Sequence, residues 1–560
     1  MGFILQSYSA LFTKVNSLTL FAVRLLLKPL YPSKIYRMTF IGSVLHNKRI
    51  TASWNMARSW RIVILLIPVI ALLAIYAPTH SFFRNQYDDT YITYRYAVNL
   101  AQGHGLVFNV GERTDSASSF LYTLVLSACW LLHAKNLELV GGLIGVLSLG
   151  LISGLVYKLA LYASSDRRAA LIVAVGCCFN GFLSGWTLSG METLPWATLV
   201  LLAIYLLVIN ARPAVIGLAI AAAAFTRFEG ILLVIPYVMV LVRCRRWSKR
   251  SWAPLVGVLL AFAGFYIIKH AYYGVWISHA YQMKKVALYY KAAPREMIHF
   301  WIYYASIPLL LSVPVLFSRR YGFVLAYLTL SLTSVALGPR SDLSRYSVHL
   351  LPIVYAFSAP LLARMIAEFR TRMRISVLVL IVAALCAQVS AGARLGWHVM
   401  TGLAGDQECR ENIGQFINRN IDRSAYIASS DLGEIAYVAI DHRFVDLIAL
   451  TSADVLADYR EGKTSDDILR SKDVKYLADT YNPASSQDRL DSLLGQFPGI
   501  RPRSEFVTTA REPLFICKNK NGLEFVVTTI MPKSKSASAR GDQLETAYRL
   551  AEHCQACEKN

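Results

Sequence analysis

Acidic residues are scarce in this sequence. Its 560 residues carry 35 Asp+Glu against 57 Lys+Arg, and charged residues reach only 16% while hydrophobic ones reach 55%. Water-soluble domains carry about 25% charged residues, so a single soluble globule and a disordered chain are both excluded. Also missing are a Gly-rich phosphate loop, which removes the usual sign of a nucleotide site, and any internal repeat of the kind secondary transporters carry. The formal charge of +22 would point to nucleic acid in a polar chain. In an apolar one it is first a statement about orientation in a bilayer.

Division at Gly392 separates two compositions. The first 392 residues hold 36 Lys+Arg and 11 Asp+Glu, and the remaining 168 hold 21 and 24. Eleven apolar runs in the first part read as spans: 62–77, 139–162, 169–185, 194–209, 214–225, 231–242, 252–268, 301–317, 321–337, 348–363 and 375–391. A further run, 120–132, suits a re-entrant or interfacial segment. If it dips in and returns, the basic loops at Arg167-Arg168, Arg212, 243–250, Arg319-Arg320 and 364–374 all stay in the cytoplasm, as short Lys/Arg-rich loops do. Run 375–391 then leads the rest of the chain out.

The expected architecture is therefore a polytopic α-helical protein of the plasma (inner) membrane, with about 11 spans plus the re-entrant or interfacial segment. An extracytoplasmic α/β domain follows. The expected divisions are a basic cytoplasmic extension over 1–59, a membrane domain over 60–392, the α/β domain over 393–532 and a polar tail over 533–560. Within the extension, residues 16–31 are apolar but interrupted by Arg24 and Lys28, which suits a helix lying in the interface. Met56 is an alternative start, with Arg58 and Arg61 as the flank of the first span.

With so few carboxylates in an apolar region, each needs a reason. Under this topology nine of the eleven lie outside, and Asp88 and Asp89 open the first external loop, followed by Tyr91, Arg95 and Asn99. Adjacent carboxylates repel each other, so one can acquire the proton affinity of a general base. The plainer alternative is that one of them only caps a helix. Three other polar clusters interrupt apolar runs on the same side: 189–193 with Glu192, 226–230 with Arg227 and Glu229, and 340–346 with Asp342, Arg345 and Tyr346. Ionisable groups at membrane depth are costly and tend to mark sites, although Arg227 and Glu229 could simply neutralise each other in a tight hairpin. The loop 270–300 adds Tyr273, His279, Lys284 and Lys285, which are ordinary interfacial anchors or, together with Arg345, cations for a lipid phosphate.

The run Asp88-Asp89-Thr90-Tyr91-Ile92-Thr93-Tyr94-Arg95-Tyr96-Ala97, with Asn99, Gly103, Gly105, Asn109, Gly111 and Glu112 after it, resembles the first-loop signature of GT-C membrane glycosyltransferases. Within them it is similar to the arabinofuranosyltransferases that add terminal arabinofuranose to cell-wall arabinan. Ser189-Gly190-Met191-Glu192-Thr193, Thr226-Arg227-Phe228-Glu229-Gly230, Tyr272-Tyr273-Gly274, Arg345-Tyr346 and Ser430-Asp431-Leu432-Gly433-Glu434 follow in the same order. Phe228 stands where the pattern has Pro, and Ile277-Ser278-His279 replaces a Pro-Asn.

The resemblance implies a GT-C fold and a polyprenyl-phosphate sugar donor used outside the cytoplasm. It also implies a glycan or protein acceptor, such as a pilin, and the lipid bilayer as surroundings. It implies Asp88 as the base and Asp89 as a close second that positions acceptor or base; Arg95, Lys284, Lys285 and Arg345 are the candidates for phosphate contact. Tyr91, Asn99, Glu192, Arg227, Glu229, Tyr273, His279, Asp342 and Tyr346 complete the expected substrate site. No cofactor and no metal ligands are assigned, and a divalent cation on the two carboxylates stays open. Nucleic acid is not an expected partner. A transporter or flippase of a polyprenyl-linked or anionic solute is the competing reading, supported by the membrane composition but not by the first-loop signature.

In residues 393–560 short apolar pieces alternate with polar helical stretches, as in a small α/β domain. Cys409 and Cys517 lie there, where a disulfide is open to them. Cys554 and Cys557 form a CxxC without a second pair, which argues against a metal site.

Overall fold

A computed structural model describes residues 86–245, 248–286, 293–337, 343–368, 406–463, 465–481, 513–518 and 524–529. The expected interfacial helix 16–31, span 62–77, nearly all of 375–391, the tail 533–560 and Asp342 lie outside the described residues.

Fourteen helices precede residue 369 among the described residues: α1 Asp88–Ala101, α2 Phe120–Leu131, α3 Leu137–Ser164, α4 Arg167–Cys178, α5 Gly181–Gly185, α6 Thr193–Val208, α7 Pro213–Thr226, α8 Val234–Arg243, α9 Lys249–Tyr273, α10 His279–Val286, α11 Ala293–Leu316, α12 Gly322–Leu337, α13 Leu343–Ser347 and α14 Leu351–Glu368. Among the described residues three stretches are long and apolar enough to cross a membrane, namely Leu137–Ser164, Lys249–Tyr273 and Arg345–Glu368. Arg167–Cys178 with Gly181–Leu188 makes a fourth that is bent by 49°.

The expectation of unbroken spans is corrected here. Run 169–185 breaks because Asn180 caps the Leu183 amide and donates to the Tyr304 carbonyl at 2.7 Å, ending one helix and starting the next. Run 231–242 divides into a 3-10 turn, Phe228–Leu233, and the ten-residue α8. Runs 194–209, 214–225 and 321–337 are helices of 16, 14 and 16 residues, about 21–24 Å long against roughly 30 Å of hydrocarbon. The run 120–132 is the 12-residue α2, about 18 Å and too short to cross unaided.

The C-terminal part opens with a helix over 406–420, α15. There follow β1 Tyr426–Ser429, α16 Gly433–Val438, β2 Arg443–Asp446, α17 Ala453–Arg460, α18 Ser465–Ser471, β3 Tyr476–Tyr481, β4 Pro513–Lys518 and β5 Glu524–Thr529. The strand order is β2-β1-β3-β5-β4. β1 is parallel to both β2 and β3, and β5 is antiparallel to both β3 and β4. Successive strand residues point to opposite faces, so Ile427 and its register partner Phe444 enter one core while Ala428 and Val445 enter another. Sheets covered on both faces are the usual setting for parallel pairing.

One of those cores is shared with the first external loop: Tyr96 and Phe108 pack with Ile413, Ile417, Ile435, Phe444 and Val527. Helix α1 also packs Tyr91, Tyr94, Ala97 and Val98 against Tyr122, Leu126 and Leu137 of α2 and α3. It is thus buried between the helical part and the α/β part. The chain diverges at the C-terminal end of β1, where one connection returns to β2 and β3 lies on the other side. In open α/β sheets this is where a crevice forms, and the N-terminus of α1 enters it.

Cys409 of α15 and Cys517 of β4 form a disulfide across 108 residues of sequence. Closing so long a loop removes denatured-chain entropy. Cys409→Ser is therefore expected to lower stability by about 2–5 kcal/mol, read as an earlier denaturation midpoint of the full chain with no further loss on adding reductant.

Candidate active site

The two carboxylates at the start of α1 diverge into different surroundings. Neither caps its own helix, because the N-cap is Tyr87 and no side chain bonds the first amides. Asp88 instead receives the amide N–H groups at the start of α16, from Gly433 to Oδ2 and from Glu434 to Oδ1, each at 2.9 Å. Gly433 is required by this approach, since a Cβ there would run into the Asp88 carbonyl oxygen and carboxyl. Asp89 points the other way and accepts from Arg345 Nη1 at 2.8 Å, with 48% of its side chain exposed against 22% for Asp88.

Their proton affinities separate accordingly. Burial first, and then the Asp431 charge, push Asp88 up to about 7 against the downward pull of Arg410 and the Glu434 amide. At Asp89 partial burial acts upward, but the Arg345 and Lys284 cations outweigh it and hold the carboxyl below its ordinary range. Two adjacent residues of one type thus differ in role by environment.

Around Asp88 lies a set of groups from the α/β part that the sequence reading had not assigned to the site. Arg410 of α15 binds Asp431 bidentately at 3.0 and 3.2 Å and brings Nε to 3.6 Å from Asp88 Oδ1. Gln407, one turn earlier, donates to the Tyr91 hydroxyl at 2.6 Å, and that hydroxyl donates to Glu138 at 3.1 Å. Glu434 is buried, and burial together with the Asp88 charge pushes it up to about 10, so it stays protonated at neutral pH. Asp431 and Glu434 did lie in the C-terminal run that carried the family resemblance. Nothing local in the sequence tied that run to the first loop.

The cluster 189–193 positions α1. Gly190 adopts φ +72°, in the left-handed region, and a Cβ there would strike Gln86 and Tyr94. The Ser189 carbonyl accepts from Thr90 at 2.8 Å and the Gly190 carbonyl from Tyr122 at 2.7 Å. Two residues on, Glu192 accepts from Arg227 Nη1 at 2.8 Å, while Nη2 of the same guanidinium reaches Glu229 at 3.3 Å. Arg227 is therefore shared by two buried carboxylates instead of neutralising Glu229 alone. Its guanidinium lies 4.6 Å from the Tyr346 ring centroid, and that of Arg345 lies 5.7 Å from the same ring. Glu192, Arg227 and Glu229 thus form a buried support behind Arg345.

The remaining expected residues divide. Lys284 joins Arg345 on the Asp89 side, whereas Lys285 is exposed. Arg95 is not aimed at the carboxylates. It is buried, donates to the carbonyls of Phe108 (2.8 Å), Ala436 and His442 (2.7 Å), and lies over the Phe108 and Phe444 rings. Asn99 donates to the Val107 and Phe108 carbonyls at 2.9 Å, and Tyr273 to that of Leu106 at 2.7 Å. His279 exchanges two hydrogen bonds with Asp115: its amide donates to the Asp115 carbonyl and its Nδ1 accepts from the Asp115 amide. Asp115 in turn pairs with Lys269 at 2.7 Å. These four residues hold the first loop onto its neighbours. Arg95→Leu leaves the buried Ala436 and His442 carbonyls without this donor and the Phe108 carbonyl with Asn99 alone. It is expected to cost about 2–3 kcal/mol, seen as a lower Tm in detergent.

The likenesses to known proteins agree with this layout. Residues 399–526 match a family described as a domain of unknown function, DUF8728. Over 259 residues the chain is 28% identical to the terminal β-(1→2)-arabinofuranosyltransferase of Mycobacterium tuberculosis, a match covering 41% of this chain and 40% of that protein. The chain thus spans about two fifths of the length of the curated relative. The crystal structure of ArnT from Cupriavidus metallidurans bound to undecaprenyl phosphate is similar over 87% of this chain and all of that one, with a TM-score of 0.56 at 14% identity. The fold is shared with that structure. In this chain the first-loop carboxylates face the crevice between the helical and α/β parts. Among the described residues no group of three or more His, Cys, Asp or Glu side chains could hold a metal ion.

Proposed function

We propose that this protein is a membrane glycosyltransferase that moves a sugar, arabinofuranose in the first instance, from a polyprenyl-phosphate donor to a glycan or protein hydroxyl on the extracytoplasmic face. The observation that carries the reading is the opposed setting of the two adjacent carboxylates. Asp88 is held by backbone amides with its proton affinity near neutrality, and Asp89 is held ionised against Arg345. Support for the donor class comes from the fold shared with a protein bound to undecaprenyl phosphate, and support for the sugar from the arabinofuranosyltransferase relative.

In the proposed reaction the acceptor hydroxyl gives its proton to the Asp88 carboxylate as its oxygen bonds to the anomeric carbon. The bond from that carbon to the phosphate oxygen breaks, and its electron pair leaves with the polyprenyl phosphate. Arg345 and Lys284 face the charge that grows on the phosphate. Asp89 aims Arg345, and the Glu192–Arg227–Glu229 cluster stiffens Tyr346 beside it.

The test offers purified protein polyprenyl-phosphate arabinofuranose and, separately, its mannose counterpart, each with an arabinan acceptor. Transfer from the first and not the second is the expected result. Transfer from mannose alone would replace the sugar. Movement of the intact lipid across vesicles without sugar transfer would replace the enzyme by a flippase.

A further inference from the structure

We propose that Arg410 and Asp431, both contributed by the α/β part, are positioning residues that set the proton affinity of Asp88 in opposite senses. The inference rests on the reading of Asp88 as the base and adds to it the origin of its tuning. The geometry is a carboxylate–guanidinium–carboxylate chain. Arg410 grips Asp431 through two hydrogen bonds of 3.0 and 3.2 Å and reaches Asp88 at 3.6 Å with the same Nε. The guanidinium is thus anchored on Asp431 and only leans on Asp88. A closer, bidentate hold on Asp88 would keep that carboxylate ionised and weak as a base; absence of any cation would leave it protonated at neutral pH. Sharing one cation between two acids gives the intermediate case.

Among the described residues the charged groups facing Asp88 fit this account. From its own helix comes Asp89, occupied by Arg345. From α16 comes Glu434, which lends Asp88 its amide and is itself held neutral by burial. From α15 comes Arg410, and from the segment after β1 comes Asp431. Arg410 sits next to Cys409, which the disulfide ties to β4, so the cation is carried on a fixed helix. The consequence is that the α/β part supplies the electrostatics of the base as well as a surface over the crevice.

The test reads the carboxyl band of Asp88 directly, as the infrared difference between the full-length protein and Asp88→Asn across pH. The pH profile of turnover is measured alongside. Arg410→Gln is expected to raise the midpoint by about one pH unit or more, and Asp431→Asn to lower it by a similar amount. Arg410→Lys, which keeps the charge without the two-point grip on Asp431, is expected to move the midpoint less than Arg410→Gln. Asp431→Asn preserves shape and an acceptor, so it remains informative if Arg410→Gln does not fold. Midpoints that stay put, or that move in the same direction in both variants, overturn the proposal. A fully active Asp88→Asn protein instead removes the reading of Asp88 as the base, a separate failure from an unmoved infrared midpoint.

Discussion

Asp88→Asn is expected to lower kcat by about 10²–10⁴-fold, the usual contribution of a positioned general base, while leaving the fold intact. The amide keeps one acceptor for the Gly433 or Glu434 N–H that holds the native side chain, so circular dichroism and Tm should change little. What it loses is the ability to take a proton. The pH dependence supplies the sign. A base whose affinity is raised to about 7 is protonated and idle below that value and active above it. Wild-type kcat/KM should therefore climb through neutrality to a plateau, and any residual Asp88→Asn activity should lack that limb. A profile that falls with rising pH across the same range would contradict the assignment.

Arg345→Gln is expected to cost about 10²–10³ in kcat/KM, the scale for removing one donor aimed at developing charge. The structural reason is the convergence on one point of Arg345, its partner Asp89 at 2.8 Å and the support of Tyr346 and Arg227 behind it. Arg345→Lys keeps the charge without the planar fork and should recover only part of the loss. Asp89→Asn should be milder, because it loosens the aim of Arg345 without removing the cation. Equal defects in all three variants would mean that Asp89 does more than orient its partner.

Much of this site was legible in the sequence because the acids are so few. With 11 carboxylates in the first 392 residues, the pair at 88–89 and the clusters around Glu192, Arg227 and Arg345 stood out by contrast alone, and the structure brings the first and last of these together. Arg95 misled for the opposite reason. An arginine six residues after an Asp pair looks like a phosphate ligand, but packing turns it inward onto the carbonyls of Phe108, Ala436 and His442. Arg410 and Asp431 were hidden by distance, since the amide that binds Asp88 lies 345 residues along the chain and no local pattern signals such a contact. Span lengths also outran the sequence reading. Hydropathy does not register Asn180 as a helix cap, so the apolar run 169–185 that reads as a single span is broken in the fold.

The most direct test of the central claim is the stoichiometry of one incubation. Purified protein, polyprenyl-phosphate arabinofuranose and an arabinan acceptor are combined, and released polyprenyl phosphate is counted against newly glycosylated acceptor. One polyprenyl phosphate per transferred sugar, dependent on acceptor and lost in Asp88→Asn, is the expected result. Release without acceptor glycosylation, or none from this donor or its mannose counterpart, would contradict it.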